Sequence, residues 1–314
     1  MLFRSLHGPI ANLVRDPEFV RYVDAGAFSE AVTLRPARNP SRALSLQLIP
    51  FGQQLKLLLC CDVTQEEKVE TMRRDFVANV SHELRTPLTS IKGYIEALLD
   101  GAKNDPETST KFLDIILKQS DRLNLILEDL LQLSRIESGQ ILFKREPLHI
   151  QDVIERTLAM IKPLADKKGH QLVSFVKDNL PAVLGDEDRL TQVLSNLLDN
   201  AIKYTPGKGT ITVAAHPVSD DAEQPAMVTA VELSVTDTGI GIPEQDRPRV
   251  FERFYRVDKA RSRELGGTGL GLAIVRHIVE GLGGRVWVEG NAPTGSRFVV
   301  QLPVQEISQS VRQT

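Results

Sequence analysis

The stretch QEEKVETMRRDFVANVSHELRTPLTSIKGYIEALL, Gln65 to Leu99, decides the architecture. Val69, Met72, Phe76, Val80, Leu84, Leu88, Ile91, Ile95 and Leu98 recur at steps of three or four, which predicts one long amphipathic helix. Gly101 and the NDPETS stretch break it. Asp105 followed by Pro106 offers a cap and a first-turn proline for a second helix. Its stripe is Phe112, Ile116, Leu123, Ile126, Leu130 and Leu133, and the helical pattern stops at Glu137, Ser138 and Gly139. Two long helices joined by a short loop cannot cover each other's apolar faces alone, so a dimeric four-helix bundle is expected.

Inside the first helix lies SHELRTPL, Ser81 to Leu88. His82 stands two residues from Val80, about 200 degrees around the helix, and is therefore expected to face outward. Thr86 follows one turn later on the same face, with Glu83 beside the histidine. Pro87 removes a backbone donor and leaves the Glu83 carbonyl without its helical partner, so a bend or loosened turn is expected there. A neutral imidazole can attack phosphorus with one nitrogen while the other gives up its proton to a neighbouring base, and Glu83 is that base by position. A lone surface histidine would mean little. A proline in a strongly periodic helix, disfavoured by roughly 3 kcal/mol, asks for a reason one turn from it.

Beyond about Leu148, helical segments alternate with β-rich runs such as TITVAAH, MVTAVELSVTD, GRVWVEG and SRFVVQLP, the pattern of an α/β layer domain. Within it, QVLSNLLDNAIKYTP (Gln192 to Pro206) divides by face. Leu190, Val193, Leu194, Leu197, Leu198 and Ala201 form the packing side, while Asn196, Asn200 and Lys203 fall within roughly 60 degrees on the other. Paired asparagines at this spacing suit a hydrated Mg²⁺, with Lys203 near phosphate. VTDTGIGI (Val235 to Ile242) runs a strand into Asp237, whose carboxylate can accept from an adenine amino group, while Gly239 and Gly241 allow close backbone approach. GGTGLGLAIV presents Gly267, Thr268, Gly269, Leu270 and Gly271 at a helix start, where N–H groups suit phosphate oxygens. It matches neither a P-loop nor a Rossmann fingerprint. In FERFYRVDKARSREL, Phe251 and Phe254 are expected to clamp a lid whose Arg253, Arg256, Lys259, Arg261 and Arg263 carry positive charge over phosphates. A solvated basic loop is the plain alternative. Pro217 to Pro225 reads as a polar loop without chemistry.

The 314 residues suggest two or three domains. A formal charge of -3 argues against a chain that works by coating nucleic acid or anionic lipid. No apolar stretch approaches the roughly 20 residues of a membrane span, and Met1 to Ile10 lacks a signal-peptide core, so a cytoplasmic location is expected. Residues 1 to 62 end in LSLQLIP and QLKLLLCCDV, a hairpin about Pro50 to Gln53. Cys60 and Cys61, the two cysteines, are expected to be small buried hydrophobes of a reducing compartment and unbridged.

Taken together, SHELRTPL resembles the phospho-acceptor box of two-component sensor histidine kinases. The asparagine helix, DTGIGI, FERFYR and GGTGLGL resemble, in order, the ATP-binding boxes of their GHKL-type catalytic domain. The resemblance spans residues 65 to 305. It implies an α+β multidomain chain: a truncated PAS-like segment at 1–62, a dimerisation and histidine-phosphotransfer hairpin at 63–143, an α/β-sandwich GHKL domain at 144–307 and a tail at 308–314. It also implies an ATP-dependent protein-histidine kinase, with His82 as phospho-acceptor and Glu83 as base. By the same resemblance, Asn196 and Asn200 hold Mg²⁺, Lys203 and Tyr204 contact the nucleotide, and Asp237 contacts adenine. Glu83 with Thr86 looks like the E-x-x-T pattern by which such kinases dephosphorylate their partner, the receiver-domain aspartate of a response regulator. PIANLVRDPEFVRYV and CCDVTQEE look like the latter part of a PAS domain, most like that of phosphate-regulon sensor kinases, whose usual anchor lies in the bacterial inner membrane. Two other classes stay open: a GHKL ATPase driving a conformational cycle, which needs no phospho-acceptor histidine, and a non-catalytic dimeric scaffold.

Overall fold

The secondary structure follows the two periodicities, 3.6 along the helices and 2 along the strands. The computed structural model describes residues 14, 16–26, 28–51, 55–138, 143–219, 228–258 and 266–304. By internal contacts it separates into two units, residues 1–81 and 82–314, the division falling inside the long helix.

In the first unit, α1 (Pro17–Ala25) starts where Asp16 Oδ1 accepts the Glu18 N–H at 2.8 Å and Pro17 occupies the first turn. Strands β1 (Val32–Leu34), β2 (Leu44–Phe51) and β3 (Leu55–Asp62) form an antiparallel sheet in that order. Phe19, Leu34 and Leu46 make its core. The two expected strands pair antiparallel, but β2 continues through Pro50 and Phe51, which the sequence places in the turn; residues 52–54 lie outside the described ones. The burial expected for Cys60 and Cys61 is not found: both are free and exposed. Among the described residues β3 pairs only with β2, so this strand has neighbours on one side alone.

Helix α2 (Thr64–Leu99) runs unbroken through the buried Pro87. Next to the proline, the Thr86 hydroxyl donates to the His82 carbonyl at 3.1 Å. After a turn, α3 (Pro106–Glu137) begins under the predicted Asp105 cap, whose Oδ1 accepts the Glu107 N–H at 3.2 Å. The stripes are buried unevenly: Ile126 and Leu133 are fully buried, whereas Leu88 is 60% exposed.

The rest of the second unit is an α/β layer. A five-stranded sheet runs β5 (Gln171–Val176), β7 (Thr210–Val218), β8 (Ala230–Asp237), β10 (Ser296–Pro303) and β9 (Arg285–Gly290). Its β5–β7 pair is parallel and the others are antiparallel. β4 (Glu146–Leu148) and β6 (Val183–Gly185) form a separate pair. Helices α4 (Ile150–Lys168), α5 (Glu187–Tyr204) and α6 (Gly271–Gly281) supply the second layer. All six apolar residues predicted for the packing side of α5 are buried, as are Ile274, Val275 and Ile278 of α6. Each large aliphatic side chain so buried stabilises by about 1.5–3 kcal/mol. Pro217 belongs to β7; most of the polar segment after it, like Lys259, Arg261, Arg263 and the tail, lies outside the described residues. Among the described residues, no helix is long and apolar enough to cross a membrane.

Candidate active site

Because α5 buries one face, its polar stripe is left to line a pocket. Asn196, Asp199, Asn200, Lys203 and Tyr204 form one wall. Asp237, Gly241, Gly267, Thr268, Gly269 and Gly271 complete much of the rest, so three sequence-distant boxes meet at one cavity. The loop and the helix touch directly, since Asn196 Nδ2 donates to the Gly271 carbonyl at 3.2 Å. That bond leaves the Asn196 amide oxygen as an acceptor. Lys203 Nζ lies 2.6 Å from Asp199 Oδ2, an acidic partner that the motif reading missed.

Asp237 ends β8 almost fully buried. Its Oδ1 accepts the backbone N–H of Gly239 at 2.8 Å and of Ser296 at 3.2 Å. Oδ2 is left as the acceptor for a ligand in the pocket that Asp237 lines. Burial pushes this carboxyl up from its ordinary value, while the two N–H donors oppose the shift. Asn291 Nδ2 donates to the Asp237 carbonyl at 2.9 Å. Glycine is required on both sides of the aspartate: a Cβ on Gly239 would stand 2.4 Å from the Tyr204 carbonyl oxygen, and one on Gly295 2.0 Å from the Asp237 carbonyl oxygen. Gly295 also sits at φ 131°, where L side chains are strained. Gly239 therefore serves the close approach of this loop to the end of α5.

In the glycine loop, the Leu270 N–H donates to Thr268 Oγ1 at 3.2 Å, and Leu270 itself is buried as the cap of α6. Phe251 and Phe254 are buried, with Phe251 edge-on to Phe298 at 6.3 Å and the Phe254 N–H donating to the Gly269 carbonyl at 2.8 Å. In this structure Arg253 and Arg256 pair with carboxylates of the helical hairpin. Arg253 pairs with Glu137 of α3 at 2.5 Å, and His277 Nε2 lies 3.3 Å from the same carboxylate oxygen. Arg256 lines the pocket yet donates to both oxygens of Glu83, at 3.5 and 3.1 Å.

His82 and Thr86 are exposed on α2, and Glu83 beside them is half-buried. Besides Arg256, Arg122 of α3 reaches Glu83 at 3.2 Å, with side chains only 13% and 14% exposed. Leu125 and Asp129, also from α3, line the pocket. Thr268 Oγ1 donates to Asp129 Oδ2 at 2.6 Å. Burial pushes the Asp129 carboxyl upward, against this hydrogen bond and the nearby Lys203. Neither Arg122 nor Asp129 stood out in the sequence, where both read as polar positions beside the apolar stripe of an ordinary amphipathic helix.

The pocket offers a buried carboxylate for a base edge, a lysine and a backbone loop for phosphates, and two neutral amides one helical turn apart. Amide and phosphate oxygens with water make a donor set suited to Mg²⁺, which takes few protein ligands.

Two family models match. The one described as Histidine kinase-, DNA gyrase B-, and HSP90-like ATPase takes residues 185–306, and the His Kinase A (phospho-acceptor) domain takes residues 72–139. The chain is 42% identical over 249 residues to the sensor histidine kinase WalK of Bacillus subtilis, covering 78% of this chain and 39% of that protein. It is 35% identical over 306 residues to the phosphate regulon sensor protein PhoR of Pseudomonas aeruginosa, covering 97% of this chain and 66% of that protein. The chain thus spans less than two thirds of the length of either relative. Among solved structures it resembles the Acinetobacter baumannii histidine kinase AdeS, at TM-score 0.55 and 28% identity over 71% of this chain and 98% of that one. It also resembles the histidine kinase ThkA, solved in complex with the response regulator protein TrrA, at TM-score 0.59 and 25% identity over 91% of this chain and 83% of that one.

Proposed function

The chain belongs to the two-component sensor histidine kinases, and on that premise we propose that it transfers the γ-phosphoryl group of Mg-ATP to His82 and then to a receiver-domain aspartate of a response regulator. The observation that carries this reading is the convergence of Asn196, Asn200, Lys203, Asp237 and the glycine loop on one pocket, in the unit that also bears an exposed His82 with Glu83 beside it.

Asp237 Oδ2 accepts the adenine amino group, and Lys203 with the N–H groups of Gly267 to Gly271 engages the phosphates. Asn196 and Asn200 would hold Mg²⁺, which neutralises phosphate oxygens when bound. A neutral His82 nitrogen forms the new P–N bond, the bond from γ-phosphorus to the β–γ bridging oxygen breaks, and ADP leaves. The proton on the other ring nitrogen passes to Glu83. With Arg122 and Arg256 on its oxygens, Glu83 is engaged as an acceptor, so Arg256 has to release it before it can take that proton.

The proposed domains are a PAS-like segment at 1–62, a phosphotransfer hairpin at 63–143, the nucleotide domain at 144–307 and a tail at 308–314. A homodimer through the hairpin is supported by Leu88, Leu113, Leu117 and Leu131, each between 56% and 60% exposed in the single chain. Phosphate-regulon-type signalling is supported by the PhoR match, which takes in most of the amino-terminal segment, although the shorter WalK match is higher in identity.

Incubation with γ-labelled ATP and Mg²⁺ tests the reading. Label should be stable in alkali and lost in acid, the behaviour of a phosphoramidate. Hydrolysis of ATP without labelled protein would favour an ATPase conformational cycle instead.

Regulator dephosphorylation is proposed to depend on Thr86. It requires a water held in line with the aspartyl phosphate, and the Thr86 hydroxyl is exposed one turn beyond His82. Thr86→Ala should keep autokinase activity within a few-fold while dephosphorylation falls on the order of 100-fold. Both rates are measured on one preparation, with circular dichroism to confirm the fold. Wild-type dephosphorylation by the variant would remove the hydroxyl from the mechanism.

A further inference from the structure

In the described conformation, groups expected to seek phosphate are held by carboxylates of the helical hairpin. Arg256 is held by Glu83 of α2, Arg253 by Glu137 of α3, and the Thr268 hydroxyl by Asp129 of α3. Of these, the Asp129 contact lies inside the nucleotide pocket, since both partners line it. Arg256 also lines the pocket, and a Cβ on Gly269 of the glycine loop would stand 3.2 Å from its Nε. These pairs tie the nucleotide domain to the hairpin through the same elements that would surround a triphosphate.

A hydroxyl has one hydrogen to give. While Thr268 Oγ1 donates to Asp129 and accepts the Leu270 N–H, it has none for a phosphate oxygen. Asp129 lines the pocket together with the glycine loop and Lys203, and lies close enough to Lys203 to feel its charge. We infer that Asp129 is a built-in competitor for the nucleotide phosphates, so that docking of the nucleotide domain on α3 and binding of a nucleoside triphosphate exclude one another. The inference rests on reading this pocket as a nucleotide site. It has a reciprocal consequence: what loosens the α3 contact tightens ATP binding, and ATP in turn loosens the contact. Glu83 and Arg256 are part of the same linkage. Release of the domain frees the arginine for phosphate and the Glu83 carboxylate for the His82 proton.

The test is nucleotide affinity of the full chain, measured by titration calorimetry with ATP and separately with adenosine, for wild type, Asp129→Ala and Asp129→Asn. Alanine removes the side-chain acceptor and asparagine keeps the shape without the carboxylate, so a packing defect in one does not decide the result. Both variants should bind ATP roughly tenfold more tightly than wild type, a common size for a coupling between sites. Adenosine, which has no phosphate to compete with Asp129, should bind all three alike. Unchanged ATP affinity in both variants, or an equal gain for adenosine, overturns the inference while leaving the nucleotide site standing. Failure of the wild type and both variants to bind ATP at all overturns the site reading and the inference with it.

Discussion

The chain carrying His82→Gln should take up no label from γ-labelled ATP while binding ATP as tightly as the wild type. Imidazole attacks phosphorus because a neutral ring nitrogen carries an available lone pair. The glutamine side-chain nitrogen has its lone pair delocalised into the carbonyl, and neither amide atom can form a comparable phosphoramidate. His82 is exposed and is not among the residues lining the nucleotide pocket. Replacing it therefore removes a nucleophile without removing packing or a nucleotide contact. Glutamine is also at least as good a helix former as histidine, so α2 loses nothing by propensity. Two measurements separate the outcomes: label retained in alkali on the protein, and ATP affinity by calorimetry. Equal labelling of the variant would move the acceptor to another side chain. Lost ATP binding would mean that His82 supports the pocket in a way its exposure does not suggest.

How far the site could be read from sequence depends on whether neighbours in chain are neighbours in space. On α5 they are: the 3.6-residue period separates Leu190 to Ala201 on the buried face from Asn196, Asn200 and Lys203 on the pocket. The Asp105 cap and the four β-rich runs are local in the same way, and they recur in the fold at those positions. Other contacts at the site are not local. Arg256 and Glu83 are 173 residues apart, Thr268 and Asp129 are 139, and Ser296 and Asp237 are 59. No periodicity links such residues. Arg122 and Asp129 look like the solvated positions of an amphipathic helix until the nucleotide domain is packed against them. The Cys60 and Cys61 expectation failed for a related reason: an apolar run announces a strand, but which strands pair beside it decides what is covered.

Asn200→Ala should lower autophosphorylation at least ~100-fold, equivalent to about 2.7 kcal/mol of barrier. In phosphoryl transfer the protein mainly positions groups and neutralises charge, so a site that loses its cation loses much of its catalysis. Asn200 lines the pocket one turn from Asn196, on the face of α5 opposite the buried leucines. Alanine is the best helix former and removes no buried apolar surface, which keeps the helix intact. Asn200→Asp is expected to fail as well: its carboxylate can bind a cation but places negative charge beside the phosphates. The variant's remaining ATP affinity should respond weakly to Mg²⁺, whereas wild-type affinity should rise with it. The second half-reaction distinguishes a metal ligand from a structural residue. Once His82 carries a phosphoryl group, installed chemically with phosphoramidate, transfer to a regulator needs neither ATP nor the nucleotide pocket. Asn200→Ala chains phosphorylated in this way should therefore pass the group to the regulator at the wild-type rate. If transfer fails together with autophosphorylation, Asn200 holds the fold rather than the cation. If autophosphorylation persists at the wild-type rate with unaltered Mg²⁺ dependence, the cation sits elsewhere in the pocket.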